Sequence, residues 1–344
     1  MTGSGLLIAV DGGGSKTDVV AFDRKGTIHA RIRAGGSSPH LEGLAQSVAT
    51  LVGAIREACA GMTASNIDAV HIYLSGLDLP IEITEFRHAF TVSAPEFSRN
   101  LVVKNDLFAV LRAGTEAEDA VAVICGSGTN CIGVRRDGAE VTYASLGMIS
   151  GDWGGGFGLG ETALWFAARS EDGRGEPTAL QSWIPRYFER NSVAAVTEAI
   201  HRGELDRGRL IELVPGIFDL TDAGDEVARS IITRQADEIV TTAVTTMKRL
   251  GLGDTEVPVI IGGGVVSGKH PVLIDRVESE LARRVPAANL SVITTAPVTG
   301  AALLALDAEG ASADAHVALI SALDESAPRG ATVLPFRARE VWAG

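Results

Sequence analysis

A pair of glycine-rich turns, each enclosed by two apolar runs, constrains this chain most. The first segment is Leu6 to Asp23, with Gly12-Gly13-Gly14 and the polar tip Ser15-Lys16-Thr17 between its apolar runs. The second is Val121 to Val134, whose tip is Gly126-Ser127-Gly128-Thr129-Asn130. Glycine tolerates positive φ and lets backbone N–H groups approach an anion without a Cβ in the way. Each segment predicts a β-hairpin with a phosphate-binding tip, although one such hairpin alone could be an ordinary solvated turn.

Two neighbouring residues add charge to the first turn. Asp11 ends the first apolar run, where a buried carboxylate is costly unless a cation balances it. A Mg²⁺ ion that accompanies a nucleotide is such a cation, so Asp11 is a candidate magnesium ligand through water. Lys16 could add positive charge to the site or point to solvent.

A third glycine turn, Gly262-Gly263-Gly264, follows the apolar run Val257 to Ile261. The P-loop pattern is absent, and the first glycine turn leads into a second strand, whereas a dinucleotide fingerprint must open a helix. Three separate glycine turns after strands therefore predict a nucleotide held between two similar lobes.

Asp106 is the candidate catalytic residue. It follows the short apolar run Leu101 to Val103 and opens a helical pattern that runs through Leu111. Ligands of α/β sheets collect at the carboxyl ends of strands, so a carboxylate at this position faces the expected crevice. The alternative is that Asp106 is only the N-cap of its helix.

Composition sets the class of protein. The chain has 344 residues, a net charge of −13, 46% hydrophobic and 21% charged residues, which is typical of a globular α/β protein with two domains. The negative charge argues against nucleic-acid or membrane partners. Cys59, Cys125 and Cys131 lack CxxC spacing, and no signal segment is evident, so we expect a cytoplasmic protein. A homodimer is possible.

These motifs together resemble the actin-like ATPase and sugar kinase superfamily. Within it they are most similar to the BadF/BadG/BcrA/BcrD group, which includes N-acetylglucosamine kinase and bacterial glucosamine kinase. The resemblance extends from Leu6 to about Leu306, and the motifs that carry it are Asp11 to Thr17, Asn105-Asp106, Cys125 to Cys131, Gly151-Asp152, Gly262 to Gly264 and Ala296 to Ala302.

The resemblance implies an α/β fold of two ribonuclease H-like lobes with mixed sheets and a cleft between them. The predicted lobes are residues 1–118, completed by the C-terminal helix from about 300 onward, and residues 119–300. The second lobe restarts with its own glycine hairpin and three strands, which suggests an internal repeat.

The resemblance also implies ATP and Mg²⁺ as cofactors and transfer of the γ-phosphate to the 6-hydroxyl of glucosamine or N-acetylglucosamine, with Asp106 as general base. The implied phosphate-binding residues are Gly13, Gly14, Ser15, Lys16 and Thr17 in the first hairpin and Gly126, Ser127, Gly128 and Thr129 in the second. Adenosine is expected at Gly262, Gly263 and Gly264. The implied sugar contacts are Ser38, His40, Asn105, Asp106, Ser127, Gly147 and Asp152, although the residues themselves favour an ordinary loop histidine at His40.

The sequence departs from the group's pattern around the expected sugar site. Gly-Asp is commonly followed by Glu-Gly-Ser and an aromatic pair, whereas Asp152 is followed by Trp153 and a run of glycines. Leu146 and Pro39 also stand where a sugar kinase of the group carries other residues. The identity of the sugar is therefore open. The alternative functions are an ATPase that activates an electron-transfer partner, which would need cysteines at an interface, and a sugar-binding regulator.

Overall fold

The computed structural model describes residues 5–325. This part of the chain divides into two compact units, one formed by residues 5–117 and 293–325 and the other by residues 118–292. Among the residues described, no helix has both the length and the apolar character needed to cross a membrane.

The first unit is built on a five-stranded mixed sheet. Its strand order is β3-β2-β1-β4-β5, with β1, β2 and β3 antiparallel and β1, β4 and β5 parallel. The strands are β1 (Leu6–Gly12), β2 (Thr17–Asp23), β3 (Ile28–Ala34), β4 (Ile67–Leu74) and β5 (Leu101–Asn105). The helices are α1 (Pro39–Glu42), α2 (Leu44–Ala58), α3 (Pro80–Ser93), α4 (Leu107–Gly114), α12 (Pro297–Ala308) and α13 (Ala313–Glu325), with 3-10 turns at Ala64–Asn66 and Pro95–Phe97.

Both faces of this sheet are buried, as the continuous apolar sequence of β1 requires. Ile8 and Val10 point to the face covered by α2 and α3. Leu7 and Ala9 point to the opposite face, covered by α4, α12 and α13. Because successive side chains of β1 point to opposite faces that are both buried, β1 lies in the interior of the sheet. Polar residues stand at its carboxyl end.

The second unit repeats this design. Its strand order is β10-β9-β6-β7-β8, with β6, β7 and β8 antiparallel and β6, β9 and β10 parallel. The strands are β6 (Ala120–Cys125), β7 (Thr129–Val134), β8 (Glu140–Thr142), β9 (Val257–Gly262) and β10 (Ala288–Val292). The helices are α5 (Gly155–Glu171), α6 (Leu180–Tyr187), α7 (Val193–His201), α8 (Val214–Asp222), α9 (Glu226–Arg249), α10 (Gly264–Ser267) and α11 (Pro271–Arg284), with 3-10 turns at Gly147–Ser150 and Arg207–Leu213.

The two sheets share one topology, because the first three strands of each unit form an antiparallel meander and the next two extend it in parallel. The predicted repeat is therefore confirmed at the level of the sheets. Helix α13 was not expected from the sequence; it packs against α12, and Leu319 and Leu323 belong to the same apolar cluster as β1. The remaining tail, residues 326–344, lies outside the described part.

Candidate active site

The three parallel strands of the first unit end at the same level. Gly12 of β1 pairs with Leu74 of β4, and Leu74 pairs with Asn105 of β5. Asp11, the segment 75–78 and Asp106 therefore lie at one edge of the sheet. This is the position at which open α/β sheets bind ligands.

At the tip of the first hairpin, the carbonyl groups of Gly12 and Gly13 are hydrogen-bonded within the protein, whereas most of the amides have no acceptor in the described part of the chain. The carbonyls of Gly12 and Gly13 accept hydrogen bonds from the amides of Ser75 and Ser37, both at 2.9 Å. The amide of Gly13 is used inside the turn, since it donates to the Lys16 carbonyl at 2.9 Å. The amides of residues 14–16 donate to no acceptor within residues 5–325. Consecutive free amides of this kind form an anion-binding concavity.

Thr17 lies differently from the predicted hydroxyl at the tip. Its side chain is fully buried and its Oγ1 contacts the Gly35 carbonyl at 2.8 Å and Ser37 Oγ at 2.6 Å. Ser47 Oγ in turn donates to the Ser37 carbonyl at 2.6 Å. The Thr17 hydroxyl therefore holds the segment 35–37 under the turn, while Ser15 is exposed at the tip.

Asp11 is a buried carboxylate to which no group within residues 5–325 donates a hydrogen bond. Burial raises the pKa of Asp11 to about 7; the negative charge of Asp18 adds to the rise, and Lys16 and Arg33 oppose it. A buried carboxylate without protein donors suits a hard cation, because carboxylate oxygen is the preferred ligand of Mg²⁺. The geometry thus fits the metal-binding role expected of Asp11.

A second carboxylate, Asp18, lies opposite Asp11 in the register of β1 and β2. Its two oxygens hold both neighbouring cations, with Lys16 Nζ at 2.9 Å, Arg33 Nε at 2.8 Å and Arg33 Nη2 at 3.1 Å. These contacts lower the pKa of Asp18 although its burial acts in the opposite direction. Lys16 is therefore tied to the side of the hairpin instead of pointing freely into solvent, the alternative left open above.

Asp106 is half-buried at the start of α4, and its carboxylate makes no capping hydrogen bond to the helix. Asn105 makes that kind of contact instead, because its Oδ1 accepts from the Leu107 amide at 3.0 Å. Burial raises the pKa of Asp106 to about 7, and the negative charges of Asp11 and Asp78 raise it further. Asp106 is thus the residue at which α4 begins, and its side chain lies near the carboxylates of Asp11 and Asp78.

Asn105, one of the expected sugar contacts, is hydrogen-bonded within the protein. It is buried, and its Nδ2 donates to Asp78 Oδ1 at 2.9 Å and to the Leu77 carbonyl at 3.3 Å. Both ends of the amide are therefore used within the protein. Asn105 links the loop after β4 to the start of α4 and so fixes the backbone from which Asp106 projects.

His40 belongs to a small polar cluster beside this loop. Its Nε2 lies 2.8 Å from Glu82 Oε1, and its Nδ1 lies 4.0 Å from Asp78 Oδ2. Glu82 Oε2 accepts from the amides of Asp78 and Leu79 at the start of α3. Ser38 is buried next to this cluster, since a Cβ at Gly76 would lie 2.7 Å from Ser38 Oγ and 3.1 Å from the His40 ring. The expected sugar contacts Ser38 and His40 thus come together with Asp78, near Asp106.

The second hairpin has the same backbone arrangement without the charges. The carbonyls of Gly126 and Ser127 accept from the amides of Gly156 at 2.8 Å and Phe157 at 2.9 Å. The Gly126 amide closes the turn onto the Gly128 carbonyl at 2.9 Å. The amides of Ser127 and Gly128 donate to no acceptor in the described part of the chain. Thr129 Oγ1 lies 3.8 Å from the buried Cys125 Sγ, so its hydroxyl also faces inward.

The turn Gly262 to Gly264 packs directly on this hairpin. Ile124 of β6 pairs with Gly262 of β9. Gly263 has a φ of +95°, and a Cβ there would lie 2.3 Å from the Cys125 carbonyl oxygen. Only glycine fits at this position, so the predicted adenosine-binding turn and the second hairpin form one compact structure within the second unit.

The other expected sugar contacts, Gly147 and Asp152, lie in one tight loop of the second unit. The Asp152 amide donates to the Gly147 carbonyl at 3.1 Å, and Ser150 Oγ contacts the Asp152 carboxylate. Between them, Met148 and Ile149 are 78% and 88% exposed. The loop therefore presents a carboxylate together with two uncovered apolar side chains.

The cysteines are all buried. Cys125 and Cys131 are fully enclosed on the paired strands β6 and β7, and burial raises the pKa of each thiol to about 12. Thiols in such surroundings behave as small apolar groups and are poor metal ligands.

Several residues at these sites were not singled out from the sequence, namely Asp18, Asp78, Glu82 and Gln235. Asp18 could have been recognised as a charge inside a strand directly opposite Asp11 in a tight hairpin. Gln235 is a fully buried polar side chain within the apolar face of α9. Asp78 and Glu82 are spaced as polar residues at the start of a helix commonly are, and that spacing does not indicate a ligand site.

Comparisons with known proteins agree with the predicted fold. The sequence profile of the BadF/BadG/BcrA/BcrD ATPase family matches residues 8–305. The N-acetyl-D-glucosamine kinase of Dictyostelium discoideum is 26% identical over 316 residues, which cover 88% of this chain and 98% of that protein. The N-acetylmuramic acid/N-acetylglucosamine kinase of Clostridium acetobutylicum is 24% identical over 263 residues, 76% of this chain and 85% of that protein.

Among solved structures, a candidate N-acetylglucosamine kinase from Chromobacterium violaceum superposes with a TM-score of 0.68 at 22% identity, covering 88% of this chain and 99% of that one. This similarity confirms the predicted fold class, an α/β protein with the two mixed sheets of the actin-like ATPase and sugar kinase fold.

Proposed function

The chain belongs to the BadF/BadG/BcrA/BcrD ATPase family, and on that premise we propose that it is an ATP-dependent amino-sugar kinase. The reaction transfers the γ-phosphate of ATP to the 6-hydroxyl of an N-acetylhexosamine and yields ADP and the sugar 6-phosphate. The names of the relatives from Dictyostelium discoideum and Clostridium acetobutylicum support N-acetylglucosamine ahead of glucosamine as the acceptor.

One observation carries the proposal. Asp106 projects a carboxylate that is not used as a helix cap, at the same sheet edge as Asp11 and the free amides of the first hairpin. A pKa of about 7 is well suited to a general base, because about half of the carboxyl groups are ionised at neutral pH and the ionised form accepts a proton readily. A base beside an anion-binding turn is what phosphoryl transfer to an alcohol requires.

In this mechanism Asp106 accepts the proton of the sugar hydroxyl while that oxygen attacks the γ-phosphorus. The bond from the γ-phosphorus to the β,γ-bridging oxygen breaks, and ADP leaves with the electron pair. In the first unit, the amides of residues 14–16 would donate hydrogen bonds to phosphate oxygens, and in the second unit the amides of Ser127 and Gly128 would offer donors of the same kind. Donors fixed by the fold in this way stabilise developing charge without reorganisation during the reaction.

Asp11 would hold the Mg²⁺ that accompanies ATP, through water. When bound, the ion neutralises phosphate charge. A cation held by Asp11 would also lower the pKa of Asp106, because it would offset the negative charge of Asp11 that raises that pKa.

The experiment is an ADP-release assay over N-acetylglucosamine, glucosamine, glucose and N-acetylmannosamine, with products identified by ³¹P NMR. We expect turnover with N-acetylglucosamine and a 6-phosphate product. ADP release that does not depend on any sugar in the panel would instead support an ATPase that activates a partner protein.

A further inference from the structure

Gln235 is a buried polar side chain that no step of the proposed reaction uses. It lies inside α9 with no exposed surface, among the apolar residues Ile231, Ile232 and Ala236. Its Oε1 accepts a hydrogen bond from the Gly155 amide at 2.8 Å, and its Nε2 contacts Cys125 Sγ at 3.5 Å. Gln235 thus joins the first residue of α5 to the last residue of β6.

These contacts give α5 an N-terminal cap that comes from elsewhere in the chain. The residue before the helix is Gly154, which has no side chain to cap it. Gln235 binds the first amide, at Gly155, and the hairpin carbonyls of Gly126 and Ser127 bind the next two. The first-turn amides of a helix need such partners when they are buried.

The packing leaves little freedom around this contact. Gly154 and Gly155 both have positive φ, at +100° and +68°. A Cβ on Gly154 would lie 2.2 Å from Gln235 Oε1, and one on Gly155 would lie 2.4 Å from the Gly128 backbone. The hairpin, the start of α5 and Gln235 are therefore in direct contact, so a displacement of one must move the others.

The orientation of the hairpin follows from this arrangement. Because the carbonyls of Gly126 and Ser127 turn towards α5, the amides of Ser127 and Gly128 remain without a protein acceptor. We propose that Gln235 is a positioning residue for nucleotide binding, which holds the second hairpin with its amides presented to phosphate. This inference rests on the proposed function in taking ATP as the ligand of the hairpin.

The test is the substitution Gln235→Met, which keeps the length of the side chain and removes the acceptor for Gly155. Losing the partner of a buried amide lowers the fraction of protein with a competent hairpin, and the apparent affinity falls by that fraction. We expect AMP-PNP, in the presence of Mg²⁺, to bind about 10-fold or more weakly by isothermal titration calorimetry.

The matched control is Thr246→Val on the same helix. Thr246 is also fully buried and contacts Cys131 Sγ at 3.2 Å and Tyr143 at 3.0 Å, away from the hairpin tip. This variant should lower the melting temperature and leave AMP-PNP affinity unchanged. Equal losses of affinity in both variants, or unchanged affinity in Gln235→Met, would overturn the proposal.

A second variant covers the case in which Gln235→Met does not fold. Gln235→Glu keeps an oxygen acceptor for the Gly155 amide, and hydrogen exchange of that amide should remain slow in it. Binding of AMP-PNP also separates this inference from the proposed function. If the wild-type protein binds AMP-PNP, Gln235→Met weakens that binding and no sugar is phosphorylated, the result contradicts the kinase assignment alone. A wild-type protein that does not bind AMP-PNP overturns the inference.

Discussion

The two glycine hairpins have the same backbone arrangement, but charged side chains surround the first and neutral side chains surround the second. In both, the carbonyls of the turn are bonded to neighbouring amides and a group of amides is left free. The first hairpin is surrounded by Asp11, Asp18, Lys16 and Arg33. The second is supported by neutral groups, the Cys125 thiol and the Gln235 amide.

This difference indicates a division of labour within one repeated fold. The shared topology supplies the free amides in each unit, and the charged groups to which the proposal assigns metal binding lie at the first hairpin. Substitutions at the first hairpin should therefore depend on pH and Mg²⁺, and those at the second should not.

The largest effect is expected at the end of β5. Asp106→Asn removes the base but keeps the size of the side chain, so kcat should fall about 100- to 10,000-fold in the ADP-release assay. AMP-PNP affinity should stay the same. The control is Asp68→Asn, which loses only an exposed ion pair with Arg24 at 3.0 Å. A variant of Asp106 that keeps full kcat would show that the base lies elsewhere.

The second prediction concerns the charges that surround Asp11. Asp18→Asn removes a negative charge that raises the pKa of Asp11, while Lys16 and Arg33 continue to lower it. The pH below which Mg²⁺-AMP-PNP affinity declines should move down from about 7. The size of this move should be about 1 pH unit. The control is Asp23→Asn, at the other end of β2, which should leave the pH profile of Mg²⁺-AMP-PNP affinity unchanged. An equal shift in the two variants would show that the effect does not come from the charge of Asp18 beside Asp11.

The third prediction follows from the raised pKa of Asp11. The folded state binds this proton up to about pH 7, whereas the unfolded chain loses it near the ordinary value of about 3.9. Ionisation of Asp11 therefore reduces folding stability as the pH rises between these values. Asp11→Asn should raise the melting temperature of the metal-free protein by a few degrees at pH 8 and by less at pH 5. A lower melting temperature at pH 8 would contradict this sign.

The smallest effect is expected from the thiols of the second hairpin. Burial raises the pKa of Cys125 and Cys131 to about 12, so iodoacetamide should not label them in the native protein at pH 8. Mass spectrometry after a brief exposure should find neither residue modified and nucleotide affinity unaltered. Rapid labelling of either cysteine would show that the hairpin opens, and would weaken the case against a metal-binding role.

Much of this architecture could be predicted from the sequence, because glycine turns between apolar runs specify hairpins by local rules. The position of Asp106 followed from the same rules, as a carboxylate directly after a strand. The roles of Thr17 and Asn105 did not, since their hydrogen bonds join segments that are distant in sequence, to Ser37 and to Asp78. Gln235 is the extreme case, because its partner Gly155 lies 80 residues away.

The Mg²⁺ dependence of AMP-PNP binding, measured in parallel for Asp11→Asn and Gln235→Met, tests the division between the two hairpins most directly. We expect Asp11→Asn to need about 10- to 100-fold more Mg²⁺ for half-maximal binding, with affinity recovering at high Mg²⁺. Gln235→Met should remain weak at every Mg²⁺ concentration. If excess Mg²⁺ restores both variants equally, or restores only Gln235→Met, the two hairpins do not divide the work in this way.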